Sequence, residues 1–326
     1  MQSDPSPLAP RPPSPAPHPS LPCGVLNLCK PAGLSSRQAV DVVQRLARPA
    51  KAGHAGTLDP LATGVLVVCV GGATRFIEYV QRMPKRYVGT FLLGRQSPTE
   101  DIEGVVTELP DAPVPTLAAI EVAAQRLVGR IDQRPPVFSA LKLGGRPAYK
   151  LARQGKPVDL APRPVEIYRI AVKAYQYPEL ILEVDCGGGT YIRSLGRDLA
   201  QSLGTAAVMS ALVRTSIGRF RIEDAVNRRD LAPDNWLTFL QPPLRAVDFL
   251  PQVKLSAEDA ARIRNGLTIE IGDEGRGPGG EGRSPAAHAA ETTELAALDS
   301  AGQLVGILGP SGPNRWRVVR NLPTDV

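Results

Sequence analysis

Gly53-His54-Ala55-Gly56-Thr57-Leu58-Asp59-Pro60-Leu61-Ala62-Thr63-Gly64-Val65-Leu66 places one carboxylate, Asp59, among residues that fix backbone shape. Gly53, Gly56 and Gly64 permit tight or left-handed backbone. Pro60 locks its own φ and biases Asp59 away from the helical region. The apolar run Val65-Leu66-Val67-Val68-Cys69-Val70 follows, closed by Gly71-Gly72. It reads as a buried strand. An acid on a stiff loop at the mouth of such a strand suits a nucleophile or a general base. The same Leu-Asp-Pro turn also fits an ordinary helix start with Asp59 as its cap. Spacing leaves both readings open.

A chain of 326 residues, 43% of them hydrophobic, has room for two domains with a sizeable core. The net charge of +6 gives a mildly basic surface, as in nucleic-acid binders and in many other soluble proteins. The local excess says more. Between Arg130 and Arg163 stand Arg134, Lys142, Arg146, Lys150, Arg153 and Lys156, against the acids Asp132 and Asp159. That stretch reads as a phosphate-facing lobe. The four cysteines show no paired spacing and read as free thiols, which fits a reducing cytoplasm. The three histidines lie far apart and form no metal-ligand cluster. No apolar run approaches the ~18 residues of a membrane span, and no signal-peptide pattern opens the chain.

Residues 1–22 hold nine prolines among Ser and Ala and read as a disordered tail. Order is expected from a strand near Gly24. Ser36 reads as the cap of a helix over 37–47, with Val40, Val43 and Leu46 on one face. A short helix over 74–80, a strand over 87–93, a polar loop over 96–104 and a helix over 116–128 follow. Strands over 163–175 and 180–186 precede a helix over 191–203. Helices and strands mix without regular alternation, so the fold class is α+β with a mixed, largely antiparallel sheet. A boundary falls near Asp248, dividing 23–247 from 248–326. Beyond it Ser256 caps a helix over 257–265, and strands fall near Leu295, Leu304 and Trp316. Residues 272–285 carry six glycines and two prolines, and a flexible insertion is expected over about 272–294.

The Gly53–Leu66 stretch resembles the catalytic motif of the TruB-type tRNA pseudouridine synthases, which isomerise uridine 55 in the T-loop of tRNA. Four further blocks carry the resemblance in order. Asn27-Leu28-Cys29-Lys30-Pro31-Ala32-Gly33-Leu34-Ser35-Ser36 is similar to the family's opening strand and turn. Lys85-Arg86-Tyr87 is similar to its Lys-Arg-Tyr motif, and Arg134-Pro135-Pro136-Val137-Phe138-Ser139-Ala140-Leu141-Lys142 to its Pro-Pro segment. Gly188-Gly189-Thr190-Tyr191-Ile192-Arg193 resembles its Gly-Thr-Tyr-Ile-Arg motif. Relatives inside guide-RNA particles share the His-x-Gly-Thr-Leu-Asp-Pro core; Leu61-Ala62-Thr63-Gly64 looks like the stand-alone bacterial branch. The resemblance implies a pseudouridine synthase catalytic domain, a basic thumb over about 134–164, and a small C-terminal β-rich PUA-like RNA-binding domain.

It also implies roles. Asp59 acts beside C1′ of a flipped-out nucleotide by stabilising charge, by attack, or by taking the 2′ proton. Arg193 is its counter-charge; a surface ion pair is the plainer account. Tyr87 stacks on the uracil and helps remove the C5 proton, where strand core packing is the plainer account. His54, Tyr191 and Leu212 line the substrate, although structural or packing roles suit each. Lys30 and Lys85 meet phosphates or brace the loop. Asp101 matches an acid of a loop, Arg95-Gln96-Ser97-Pro98-Thr99-Glu100-Asp101, that otherwise departs from the family's run of Thr and Asp. The chemistry needs no cofactor or metal. The expected partner is the tRNA T-loop and elbow, with no guide RNA and no membrane, and the chain is expected to act as a monomer. A tRNA-folding RNA chaperone, or a synthase acting on another RNA, are the alternatives.

Overall fold

Ser35, not Ser36, starts the first helix. Its hydroxyl accepts a hydrogen bond from the Gln38 N–H, and the Gln38 side chain reaches back to the Ser35 N–H, a reciprocal capping box. Ser36 is thereby freed for another partner. The computed structural model describes residues 21–271 and 294–323. Almost all of the expected N-terminal tail, and the glycine-rich insertion, lie outside them.

The elements up to residue 133 are β1 (Gly24–Lys30), α1 (Ser36–Leu46), β2 (Ala52–His54), β3 (Thr63–Val70), α2 (Ile77–Arg82), β4 (Lys85–Leu93), β5 (Arg95–Gln96), β6 (Thr107–Glu108), α3 (Leu117–Arg126) and β7 (Gly129–Gln133). Next come β8 (Lys142–Leu143), β9 (Arg146–Pro147), α4 (Ala148–Arg153), β10 (Arg163–Gln176), β11 (Glu179–Cys186), α5 (Ile192–Ser202), β12 (Ala207–Ile217), β13 (Phe220–Arg221) and β14 (Val226–Asn227). A ten-stranded sheet runs β14-β1-β3-β12-β4-β11-β10-β7, with β2 beside β3 and β13 beside β12. Within this sheet, among the described residues, only β1–β14 and β3–β12 pair in parallel. The sheet is therefore mixed and largely antiparallel, as expected.

The Val65–Val70 run is continuous because both faces of β3 are covered. Val65, Val67 and Cys69 pack with Phe76, Tyr79 and Val80 on one side. Leu66, Val68 and Val70 pack with Val40 and Val43 of α1 on the other. A strand buried on both sides loses its polar alternation. The helix expected over 74–80 divides into a 3₁₀ turn over Gly71–Phe76 and then α2. A third cluster joins Leu58, Tyr87, Phe91 and Leu212 to α3, β10, β11 and α5.

A second sheet, ordered β15-β17-β18-β19-β16, follows. Its strands are β15 (Gln252–Lys254), β16 (Ile269–Glu270), β17 (Leu295–Leu298), β18 (Leu304–Gly312) and β19 (Arg315–Asn321), with α6 (Ala257–Arg264) capped by Ser256. This is the small β-rich PUA-like unit. It does not stand apart. Ala296, Leu298, Leu304 and Ile307 share one apolar cluster with Phe76, Tyr79 and Val80. The Tyr79 hydroxyl donates to Glu294 Oε1 at 3.1 Å, and Arg320 pairs with Glu78 at 2.7 Å.

Helix α5 lies unusually close to β4. A Cβ built on Gly196 would meet Phe91 Cε1 at 2.1 Å and Cδ1 at 2.3 Å. This approach sets where the first turn of α5 delivers its side chains. Gly196→Ala gains ~1 kcal/mol of helix propensity, yet overpacking should outweigh it and leave a net loss of about 1–2 kcal/mol. The urea midpoint of the variant reports this; an unchanged or raised midpoint would contradict the packing.

Candidate active site

Four backbone anchors hold the loop between β2 and β3. Ser36 Oγ accepts from the Leu58 N–H at 2.8 Å and donates to the Leu58 carbonyl at 3.1 Å. The Gly33 N–H donates to the Pro60 carbonyl at 2.9 Å. Lys30, fully buried, donates to the carbonyls of Pro31 and Pro60, both at 3.0 Å, and of Ala62 at 2.5 Å. Gly64, at φ +99°, could not carry a side chain, because its Cβ would lie 2.3 Å from the Arg214 carbonyl oxygen. No helix starts after Pro60. The helix-cap account of Asp59 therefore fails, and its carboxylate is free to serve elsewhere.

That carboxylate meets Arg193. Arg193 Nε lies 2.9 Å from Asp59 Oδ2, and Nη2 donates to Oδ1 at 3.0 Å. The remaining N–H groups face the Phe138 carbonyl at 3.0 Å, the Thr99 carbonyl at 2.7 Å and Asp101 Oδ2 at 3.4 Å. Five donors thus face five acceptors, a match only a guanidinium provides. The Arg193 side chain is 5% exposed whereas Asp59 is 30% exposed. The arginine is locked inside and the acid keeps an open face. The plainer account of Arg193, a surface ion pair, does not survive its burial. Asp101 is buried, and its Oδ1 accepts from Thr99 Oγ1 at 2.5 Å and from the Glu103 N–H at 3.0 Å.

Tyr87 on β4 and Leu212 on β12 are buried in the same cluster as Leu58, next to the acid. Burial raises the Tyr87 phenol above its usual value, with the Arg214 cation opposing. Sequence reasoning missed Arg214. It is 1% exposed, donates to the Val65 carbonyl at 2.7 Å and the Gly56 carbonyl at 3.1 Å, and sits 6.0 Å from the centre of the Tyr87 ring. One signal was available: Arg214 stands two residues beyond Leu212 on one strand, hence on the same face.

His54 ends β2 half-buried, and its Nδ1 is buried without a hydrogen-bond partner. Burial, then the cations Arg214 and Arg37, lower its pKa below 6.5, so the ring is neutral at neutral pH. Tyr191 is held at the entrance to α5: its N–H donates to Gln133 Oε1 at 2.8 Å, and its carbonyl accepts from Gln133 Nε2 at 3.1 Å. It also lines a cleft with Gln133, Pro135, Arg163 and Gly189. Lys30 and Lys85 were expected to meet phosphates or to brace the loop; both are buried and their amines are occupied by carbonyls, so phosphate contact is corrected and the bracing role remains. Lys85 donates to the carbonyls of Gln81 and Met83. Both lysines brace the backbone.

Comparisons with known proteins show the family. A family model described as TruB family pseudouridylate synthase (N terminal domain) matches residues 44–192. A tRNA pseudouridine synthase B of Mycobacterium tuberculosis is 40% identical over 250 residues, covering 76% of this chain and 84% of that one. Its counterpart from Xanthomonas campestris is 40% identical over 253 residues, covering 76% and 82%. Among solved structures, a Cbf5-Nop10-Gar1 complex gives a TM-score of 0.66 at 27% identity, over 89% of this chain and 79% of that one. Fold and site together define a pseudouridylate synthase. The chain belongs to the TruB family.

Burial lowers the Lys30 amine to about 8, with Asp59 and Glu103 opposing, against 10.5 for the free side chain. Between those values the unfolded chain binds more protons, so the stability that Lys30 contributes rises with pH across that window. Lys30→Met should cost roughly 2–4 kcal/mol through its orphaned carbonyls. The deficit should grow from pH 8 to about 10 in urea titrations run in parallel with wild type. A deficit that is flat or shrinks with pH would contradict this.

Proposed function

We propose that this chain isomerises uridine 55 in the T-loop of tRNA to pseudouridine, as a monomer, in the cytoplasm, without a guide RNA. The observation that carries the reading is the buried Arg193 gripping both oxygens of a partly open Asp59 beside Tyr87 and Leu212. The free cysteines fit a reducing compartment. No helix among the described residues is long and apolar enough to cross a membrane.

The reaction conserves atoms. The N1–C1′ bond breaks, the base turns, C5 bonds to C1′, and the C5 proton leaves while N1 gains one. The substrate base must first leave its stack. Asp59 then acts at C1′, where positive charge develops as the bond breaks. Arg193 holds both carboxylate oxygens and so aims Asp59. Tyr87 offers a ring face to the flipped uracil, and Arg214, near that ring, opposes the effect of burial on its phenol. Leu212 closes the apolar wall. His54, being neutral, suits stacking or hydrogen bonding to a base better than pairing with a phosphate. Tyr191 borders the pocket.

Residues 23–247 would form the catalytic unit and 248–326 the second RNA-binding unit. Within the first unit, the β8–β9 hairpin and α4 carry exposed Lys142, Arg146, Lys150 and Arg153, a lobe suited to the phosphates of the tRNA elbow.

Purified chain, incubated alone with unmodified tRNA transcript, should place pseudouridine at position 55. Asp59→Asn removes charge with little volume. It should abolish product, by a factor of at least about 10³, while the tRNA Kd stays within about threefold. Tight binding by wild type without product would overturn the reading.

A further inference from the structure

The turn of α5 after Arg193 carries a second ion pair that the reaction itself does not call for. Arg197 pairs with Glu100, and its other N–H groups donate to the Arg134 carbonyl at 2.8 Å and to Asp198 at 2.9 Å. Glu100 is further held by Ser194 Oγ, which donates to its Oε2 at 2.9 Å. Its backbone is held as well: its carbonyl accepts from the Met209 N–H at 3.0 Å, and its own N–H donates to the Ser97 carbonyl at 3.0 Å. Glu100 also occupies the left-handed region at φ +63°, which a side chain other than glycine adopts at a cost and keeps only where its surroundings enforce it.

Arg193 and Arg197 therefore grip the same two segments from one helix. Arg193 takes the loop at Thr99 and Asp101 and the Pro-Pro segment at Phe138. Arg197 takes the loop at Glu100 and the Pro-Pro segment at Arg134. Residues 134–138 are the root of the basic hairpin over 142–147. The reacting carboxylate and the root of the lobe are thus tied to one rigid bar.

We propose that the Glu100–Arg197 pair is a positioning device: it fixes the 97–103 loop and the root of the basic lobe so that Asp101 and Arg193 aim Asp59. The proposal rests on the catalytic reading above. Neither residue touches the reacting atoms. With the pair intact, the acceptors around Arg193 are preorganised before RNA arrives. With it broken, the buried Arg193 loses part of its fixed frame.

Single-turnover pseudouridine formation separates this from a plain stability role. Glu100→Gln should slow the step roughly fivefold to thirtyfold, with the tRNA Kd within about twofold of wild type. Arg197→Lys, which keeps the charge but not the fork, should retain part of the rate that Arg197→Gln loses. The Glu100→Gln/Arg197→Gln double variant should fall little below the worse single variant, because both remove one interaction. Arg95→Gln breaks the exposed Arg95–Glu108 pair at the base of the same loop and should leave the rate unchanged. A wild-type rate in Glu100→Gln, or a loss in Arg95→Gln as large as in Glu100→Gln, would overturn the proposal. A wild-type chain that makes no pseudouridine would overturn the catalytic reading and this inference together.

Discussion

One buried guanidinium organises this molecule's site. Arg193 is the meeting point of the β2–β3 loop, the 97–103 loop, the Pro-Pro segment and α5. Burying a cation is costly unless carboxylates and carbonyls replace its water. Here two carboxylates and two carbonyls do so, and the segments that supply them are drawn together as a result. Because Arg193 is spent on holding Asp59, Asp101 and backbone, it is fixed before any substrate binds. The helix that carries it owes its position to apolar packing: Gly196 lets α5 settle on Phe91. Electrostatic order at the site therefore rests on apolar contact in the core.

The other buried cations follow the same logic. Lys30, Lys85 and Arg214 direct their N–H groups at main-chain carbonyls rather than at solvent or ligand. Each stiffens a stretch that touches the site: Lys30 the turn after Asp59, Lys85 the entry to β4 two residues before Tyr87, Arg214 the start of β3. Loops carrying reacting groups are ordinarily mobile. Here cationic side chains supply much of the rigidity that the loop backbone lacks. They also bring positive potential to a place where a polyanion must dock, without exposing the charges themselves.

Much of this was legible in the chain. The family resemblance implied that Asp59, Tyr87 and Arg193 share one region although 134 positions separate the acid from the arginine. Apolar runs located β3 and β11, apolar residues at helical spacing located α3, and the capping residue Ser256 located α6. What escaped did so for physical reasons. Two adjacent serines are equal capping candidates by residue type, and only the demand of the Leu58 backbone for a partner separates Ser35 from Ser36. Buried lysines defy the expectation that such residues are solvated, and no local pattern marks carbonyls converging from distant turns. Strand β12 went unread except for Leu212 and its neighbours, because its alternation is broken by two bulges against β4. Glu100 and Arg197 lie 97 positions apart and carry no motif.

The central claim is geometric: the site needs the five-donor fork at position 193, not only a positive charge. Arg193→Lys tests it directly, because the charge stays and the fork goes. The measurement is the single-turnover rate of pseudouridine formation on unmodified tRNA, with the tRNA Kd determined alongside. The account predicts a fall of about a hundredfold or more in rate, with affinity changed less than about threefold. A lysine variant within about threefold of the wild-type rate would contradict it, and would show that charge alone at that position serves Asp59.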